Sequence, residues 1–261
     1  MHRPFENPER VVDDVFGEKG FSLRLGLSDT ELDTMRSVVH AQYVELISFY
    51  CPHIDPCLIS AGPSMYHHID SGVKHKIIFS KANRMLSKYL NVFQELDFYY
   101  KLRSIFGKII LAGEDIIIPE EFYWRLVRPN NPSDVGPLHA DAWFWDLRQE
   151  KPPINKVRVK VWIPLYSEPG ISGLKYSEGS HRKNYPYIGE MRDGMTKPLP
   201  CFNINEVPAT TFDGKPGQAI IFNDYLLHGG IVGGTLTRVS IEFYILAETT
   251  TIQNRLKSNP N

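Results

Sequence analysis

Apolar and polar positions follow two different rhythms in this chain, and the change falls near residue 119. In the first part the spacing is helical. Ser28 is followed three residues later by Glu31, a pairing that caps a helix start, and Leu32, Met35, Val39, Tyr43 and Leu46 then recur at intervals of three or four before Pro52. This predicts a helix over roughly 29–50. A second apolar series from about 73 to 113, including Ile77, Leu86, Leu90, Phe93, Leu102 and Phe106, predicts two more helices with breaks near Ser80 and between Asn91 and Leu96.

Beyond Pro119, short runs of β character are separated by clusters of Gly, Pro, Asn and Asp. The candidate strands are Phe122–Arg128, His139–Trp145, Val157–Leu165, Gly173–Ser177, Gln218–Phe222 and Val239–Leu246. In Val157–Leu165 each odd-numbered residue is Val, Ile or Leu, while Arg158, Lys160 and Trp162 take the other face, as in a sheet with one apolar face buried. No helical pattern separates these strands, which favours an antiparallel sandwich or jelly roll over a parallel βαβ sheet. The expected organisation is one domain over 1–261, with a mainly helical flanking region at 1–118, a jelly-roll core at 119–247 and a C-terminal tail at 248–261.

Composition narrows the functional classes. The 29 Lys and Arg residues are balanced by 30 Asp and Glu, so the chain lacks the basic excess by which nucleic-acid binders neutralise phosphate. The first 25 residues are interrupted by charges every few positions, and no run approaches the ~20 apolar residues that cross a bilayer. Three cysteines are too few for a disulfide scaffold. The expectation is a cytoplasmic protein with a small-molecule substrate, engaging neither nucleic acid nor membrane.

Candidate chemistry concentrates in two segments. In Gly136-Pro-Leu-His139-Ala-Asp141-Ala-Trp143, a histidine and a carboxylate two residues apart on a strand project from one face and can grip one metal ion. Further on, Leu227-His228-Gly229 supplies a second imidazole, and ten residues after it comes Thr237-Arg238-Val-Ser240. Two imidazoles and a carboxylate on one side of a metal leave the opposite side open, the arrangement of non-haem Fe(II) oxygen chemistry. Taken singly, His228 also suits a turn histidine bonded to backbone, and Arg238 half of a surface ion pair. The order and spacing of the set favour the metal reading.

The remaining signals carry ordinary readings. Gly229–Gly234 lacks the Lys-Ser/Thr ending of a phosphate loop and reads as the turn that returns Arg238 to His228. Ser172 and Ser180 lack a nucleophile-elbow context, and the Cys51–Cys57 segment fits no common zinc spacing. His67 and His68 lie in a polar loop, solvated or lining a substrate entrance. Strand alternation would place Trp143 on the side of His139 and Asp141, as a wall of the substrate chamber, and turn Ala142 and Phe144 away. Arg125 on the preceding strand is the candidate anionic contact, and packing is the competing role for both residues.

These segments, in this order, resemble the phytanoyl-CoA dioxygenase-like group of Fe(II)/2-oxoglutarate oxygenases. The resemblance runs from about Phe122 to Leu246. It rests on Gly136-Pro-Leu-His139-Ala-Asp141, Val161-Trp162-Ile-Pro-Leu165, Ser172-Gly173-Leu174, Glu178-Gly179-Ser180-His181-Arg182, Pro216-Gly217-Gln-Ala-Ile-Ile-Phe222, Leu227-His228-Gly229 and Thr237-Arg238-Val-Ser240. It implies a double-stranded β-helix flanked by helices, with His139, Asp141 and His228 as iron ligands. Arg238 would pair with the distal carboxylate of 2-oxoglutarate, with Ser240 adding a hydroxyl and Trp162 lying near the cosubstrate or simply packing in the strand. The reaction implied consumes O2 and 2-oxoglutarate, releases succinate and CO2, and hydroxylates an aliphatic C–H of a sugar, sugar acid, lipid or acyl derivative, with ascorbate as a reductant. Asp141 points to hydroxylation or desaturation, because related halogenases lack that carboxylate. The alternative is a cupin-like jelly roll that binds or isomerises a sugar-like ligand without redox chemistry, a protein with no need of Arg238 and Ser240 at that spacing.

Overall fold

The computed structural model describes residues 10–69, 72–113, 121–192 and 194–258, so the expected core boundary at Pro119, the first nine residues and the last three residues of the expected tail lie outside the described residues. Helix α1 (Val11–Phe16), strand β1 (Phe21–Ser22) and helix α2 (Asp29–Tyr50) come first. The predicted capping box of α2 is formed, the Glu31 N–H donating to Ser28 Oγ at 3.3 Å and the Ser28 N–H to Glu31 Oε2 at 2.7 Å. Its apolar stripe, Leu32, Met35, Val39, Tyr43 and Ile47, is buried.

Short helices α3 (Pro56–Ser60), α4 (His75–Ile78), α5 (Leu90–Gln94) and α6 (Asp97–Phe106) follow. The 73–113 region is therefore not two helices. Its backbone is drawn into tertiary bonds instead: Gln42 Nε2 donates to the Met85 carbonyl at 2.7 Å and the Leu86 N–H to the Phe122 carbonyl at 2.9 Å. Its end is β2 (Ile109–Ala112), so the flanking region expected to be helical gives two strands, β1 and β2, to the main sheet.

The later strands are β3 (Tyr123–Val127), β4 (Lys156–Tyr166), β5 (Gly173–Tyr176), β6 (Tyr187–Arg192), β7 (Met195–Pro200), β8 (Thr210–Thr211), β9 (Ile220–Asn223), β10 (His228–Ile231) and β11 (Arg238–Glu248). Helix α7 (Ala142–Leu147) lies between β3 and β4, and α8 (Thr249–Ser258) occupies most of the expected tail. The main sheet runs β1-β9-β4-β11-β2 with β3 also on β11, a second sheet runs β10-β5-β8, and β6-β7 is a hairpin. All pairings are antiparallel, as a jelly roll requires.

Period-two alternation sorts the two central strands. Val159, Val161, Ile163 and Leu165 of β4 and Val239, Ile241, Phe243 and Ile245 of β11 enter one core with Met35, Tyr43, Phe93 and Leu102 of the helices. Each such side chain contributes roughly 1.5–3 kcal/mol by leaving water. The opposite face carries Arg158, Lys160, Trp162, Arg238, Ser240 and Glu242, and all six are buried as well. A polar face this well covered needs internal partners, and they come from the main sheet itself, from Asp224 after β9 and from the Gly173 carbonyl of β5.

One expected strand is absent. His139 makes only an isolated bridge to His228, the chain turns at Asp141, and 142–147 is helical. Three aromatics in succession on a helix point about 100° apart, and each finds its own surface. Trp143 stacks on Tyr187 with centroids 4.7 Å apart, Phe144 meets the His139 ring edge-on at 5.5 Å, and Trp145 meets Tyr244 at 5.8 Å. The alternation argument for Trp143 is thus reversed, because Phe144 and not Trp143 neighbours the histidine. Gly229–Gly234 is likewise only partly a turn, since His228–Ile231 is strand β10, paired with β5.

Candidate metal centre

His139 and His228 are neighbours because their backbones exchange hydrogen bonds, each N–H donating to the other's carbonyl at 2.8 Å. Glycine makes the close approach possible. A Cβ on Gly230 would lie 2.8 Å from Val135 Cγ1, and one on Gly229 would lie 3.2 Å from the Pro137 carbonyl oxygen. The turn before His228 is pinned by Ser180, whose hydroxyl accepts from the Leu227 N–H at 2.8 Å and donates to the Ser177 carbonyl at 2.6 Å. Asp141 is set by the turn into α7, where the Ala142 N–H donates to the Asp224 carbonyl at 2.9 Å.

The donor atoms converge. Asp141 Oδ1 lies 3.6 Å from His139 Nε2 and 3.5 Å from His228 Nε2. Each Nδ1 faces a carbonyl two residues back, Pro137 at 2.7 Å and Leu226 at 2.9 Å, so Nδ1–H donates there and Nε2 keeps its lone pair for a metal. Among the described residues this is the one group of His, Cys, Asp or Glu ligand atoms lying within 4.8 Å of one another. Two imidazoles and a carboxylate fit a divalent first-row metal. Burial by itself would raise the Asp141 carboxyl, but His228, Lys160 and the hydrogen bond with His139 hold it well below the usual carboxylate range, ionised as a ligand must be.

A run of buried charge adjoins the triad. Lys160 Nζ is 3.9 Å from Asp141 Oδ2 and 3.2 Å from Glu242 Oε2, and Arg125 Nε is 2.9 Å from Glu242 Oε1. Burial would raise the Glu242 carboxyl, yet Arg125, Lys160 and Arg238 bring it down to about 2. Asp224 and Arg158 form a second buried pair at 2.7 Å, with Arg158 lying over the Trp145 ring.

Arg238 and Ser240 lie on the same face of β11 as Glu242, and both are almost fully buried. Arg238 Nη1 donates to the Gly173 carbonyl at 2.5 Å and its guanidinium sits 5.6 Å from the Trp162 ring. Its Nε and the Ser240 hydroxyl make no hydrogen bond, and no ion-pair partner of Arg238 lies among the described residues. Burial lowers the guanidinium pKa to about 10. A buried cation with no direct ion pair, beside an unspent hydroxyl, suits a bound carboxylate.

The fold therefore assembles His139, Asp141 and His228 in one cluster and Arg238, Ser240 and Trp162 in another. Arg125 stands beside the second cluster, opposite Ser240 in the β3–β11 ladder, with its side chain 39 % exposed. Trp143 lies apart, beneath the β6-β7 hairpin. Sequence reasoning passed over Lys160 and Glu242, although a charge in a strand whose neighbours are all apolar is a usable signal. It also left His67 unplaced: its backbone N–H donates to Thr237 Oγ1 at 3.2 Å and its Nδ1 lies 3.0 Å from the same oxygen, so this loop anchors the residue before Arg238.

A jelly roll with a His-Asp-His metal cluster on its inner face is the class that fold and site define. No protein-family model matches the chain, and no curated protein sequence matches it. Solved structures do. EvdO2 from Micromonospora carbonacea var. aurantiaca complexed with 2-oxoglutarate superposes with a TM-score of 0.54 at 15% identity, covering 91% of this chain and 90% of that one. EctD from S. alaskensis with bound Fe gives 0.50 at 13% identity, covering 89% and 74%. EvdMO1 gives 0.52 at 16% identity, covering 94% of this chain and 50% of that one. At these identities the likeness establishes the fold. No helix among the described residues is long and apolar enough to cross a membrane.

Proposed function

We propose that this chain is an Fe(II)/2-oxoglutarate-dependent dioxygenase that hydroxylates an aliphatic C–H bond of a small molecule in the cytoplasm, within the phytanoyl-CoA dioxygenase-like group that its motif order resembles. The observation that carries the reading is the pairing of the His139-Asp141-His228 cluster with a buried Arg238, whose Nε makes no hydrogen bond, and an unspent Ser240 hydroxyl. A metal-binding jelly roll without a dicarboxylate cosubstrate gives no reason to bury that cation.

Iron bound with 2-oxoglutarate and O2 supplies an oxidant for C–H hydroxylation, with release of succinate and CO2. His139, Asp141 and His228, whose donor atoms converge, would hold the metal. Arg238, buried beside the Trp162 ring, would pair with the distal carboxylate of the cosubstrate, and the Ser240 hydroxyl would add a hydrogen bond. Arg125, the most accessible of the neighbouring cations, meets an anionic or hydroxylated group of the substrate, and Phe144 takes the wall position expected of Trp143, which supports the hairpin instead.

Anaerobic addition of Fe(II) and 2-oxoglutarate to the purified protein is expected to produce a weak visible charge-transfer band that His139→Ala and Asp141→Ala abolish. Absence of the band in metal-loaded wild-type protein would overturn the proposal in favour of the cupin-like reading. Succinate release with acyl-CoAs, nucleotide sugars, sugar acids and amino acids, in the presence of ascorbate, then identifies the substrate class.

A further inference from the structure

Lys160 belongs to none of the motifs that carry the resemblance, yet it is 4 % exposed in the middle of β4, between the fully buried Val159 and Val161. A strand position so enclosed suits an apolar residue, and a buried ammonium there needs a reason. Its contacts supply one. Nζ donates to Tyr123 Oη at 3.2 Å, pairs with Glu242 Oε2 at 3.2 Å, lies 4.2 Å from the centre of the Tyr244 ring, and reaches to 3.9 Å from Asp141 Oδ2. Tyr123, Glu242 and Tyr244 fix the ammonium on strands of the main sheet, which leaves its fourth side turned to the triad.

The two oxygens of Asp141 are thereby given different work. Oδ1 faces both imidazoles at 3.5 and 3.6 Å. Oδ2 is buried and accepts no hydrogen bond, and the cation within ion-pair distance of it is Lys160. Charges then alternate in a line from the triad outward: Asp141, Lys160, Glu242, Arg125. With Lys160 absent, Oδ2 would have no charged partner, and a carboxylate is free to turn both oxygens to a divalent ion.

We propose that Lys160 is a positioning residue for Asp141, drawing Oδ2 to itself so that the carboxylate meets the metal through Oδ1 alone and a coordination position stays open for the cosubstrate. This rests on the metal-centre reading above. Removing the lysine has two separable consequences. A dication loses a repulsive neighbour, so metal affinity is kept or rises. A two-oxygen carboxylate occupies the position the cosubstrate needs, so 2-oxoglutarate affinity falls.

The test uses Co(II), whose visible d–d absorption reports coordination number, with wild-type protein, Lys160→Met, Lys160→Arg and the charge-neutral pair Lys160→Met/Glu242→Gln. Lys160→Met is expected to bind Co(II) at least as tightly as wild type, to show a weaker d–d band before any 2-oxoglutarate is added, and to lose about tenfold or more in 2-oxoglutarate affinity, the usual scale for partners of a metal ligand. Lys160→Arg should restore the band. The double variant should not, because Asp141 is still without its cation. Should Lys160→Met fail to fold, the arginine and double variants decide the matter alone. Wild-type spectrum and affinity in Lys160→Met, or their recovery in the double variant, would show that Lys160 only neutralises Glu242, and overturn the proposal. A wild-type protein that binds no Co(II) would instead remove the metal-centre reading, and this inference with it.

Discussion

Replacing Arg238 by methionine separates the two roles an arginine can have, because its effects on the empty protein and on ligand binding differ in size. In the empty protein the variant loses the hydrogen bond from Nη1 to the Gly173 carbonyl and the stacking on Trp162. A charge-assisted bond contributes roughly 1.5–3 kcal/mol and the cation–π contact roughly 0.5–2 kcal/mol. Against this stands the cost of burying a cation that Glu242 and Asp134 only partly offset and that has no direct ion pair. The fall of the guanidinium pKa from 12.5 to about 10, desolvation net of the pull of Glu242 and Asp134, corresponds to about 3 kcal/mol that the substitution relieves. Methionine keeps most of the apolar stem, so gain and loss nearly cancel, and the melting temperature without ligand should move by only a few degrees. On the proposed reading, binding of 2-oxoglutarate should lose the Arg238 contact, about 3–5 kcal/mol, or roughly two to four orders of magnitude in affinity. Thermal melting under argon with Fe(II), with and without 2-oxoglutarate, reads both quantities: wild type should be stabilised by the ligand and Arg238→Met should not. A variant that melts far below wild type without ligand, yet still responds to 2-oxoglutarate, would mean that Arg238 is a structural residue and that the cosubstrate lies elsewhere.

Further outcomes follow from single contacts. Glu242 is held at about 2 in the folded chain against an ordinary 4.5, so on acidification the unfolded chain takes up the proton first; its contribution, on the order of 3 kcal/mol, is full above about pH 4.5 and is lost as pH falls towards 2. Glu242→Gln should therefore flatten the fall of denaturation free energy across that window, and an unaltered slope would sink the assignment. Gly230→Ala drives a methyl to 2.8 Å from Val135 Cγ1 and should cost about 1–3 kcal/mol while weakening metal binding through the displaced His139 loop; calorimetry that finds neither effect contradicts the close-approach argument. Ser28→Ala removes the hydroxyl of the α2 cap and should lower stability by ~1 kcal/mol with metal affinity untouched, so a changed affinity would reveal coupling between this helix start and the site.

Local pattern was enough for the parts of this protein whose chemistry is local. Ser28 with Glu31 marks a helix start wherever the chain goes, because the two residues bond to each other. The strict alternation of Val157–Leu165 allowed one extended conformation with an apolar face, and β4 realises it. The candidate ligands could be picked out because their types and order suit metal binding, and the fold does bring His139, Asp141 and His228 together.

Tertiary structure decided whatever depends on partners distant in sequence. The short aromatic-rich run over 139–145 is compatible with a strand, yet Asp141 turns the chain into a helix because Tyr187, His139 and Tyr244 offer three separate surfaces for three successive rings. Strand β2 is a four-residue apolar run that reads equally as helix and β10 is short and glycine-rich, and they exist because an edge of β11 and an edge of β5 were waiting to be paired. Lys160 and Glu242 looked like surface charges on an exposed face until a second sheet covered that face. Periodicity tells which residues share a side of a strand, but only the packing of sheet on sheet tells whether that side meets water, and the site of this protein lies on the side that does not.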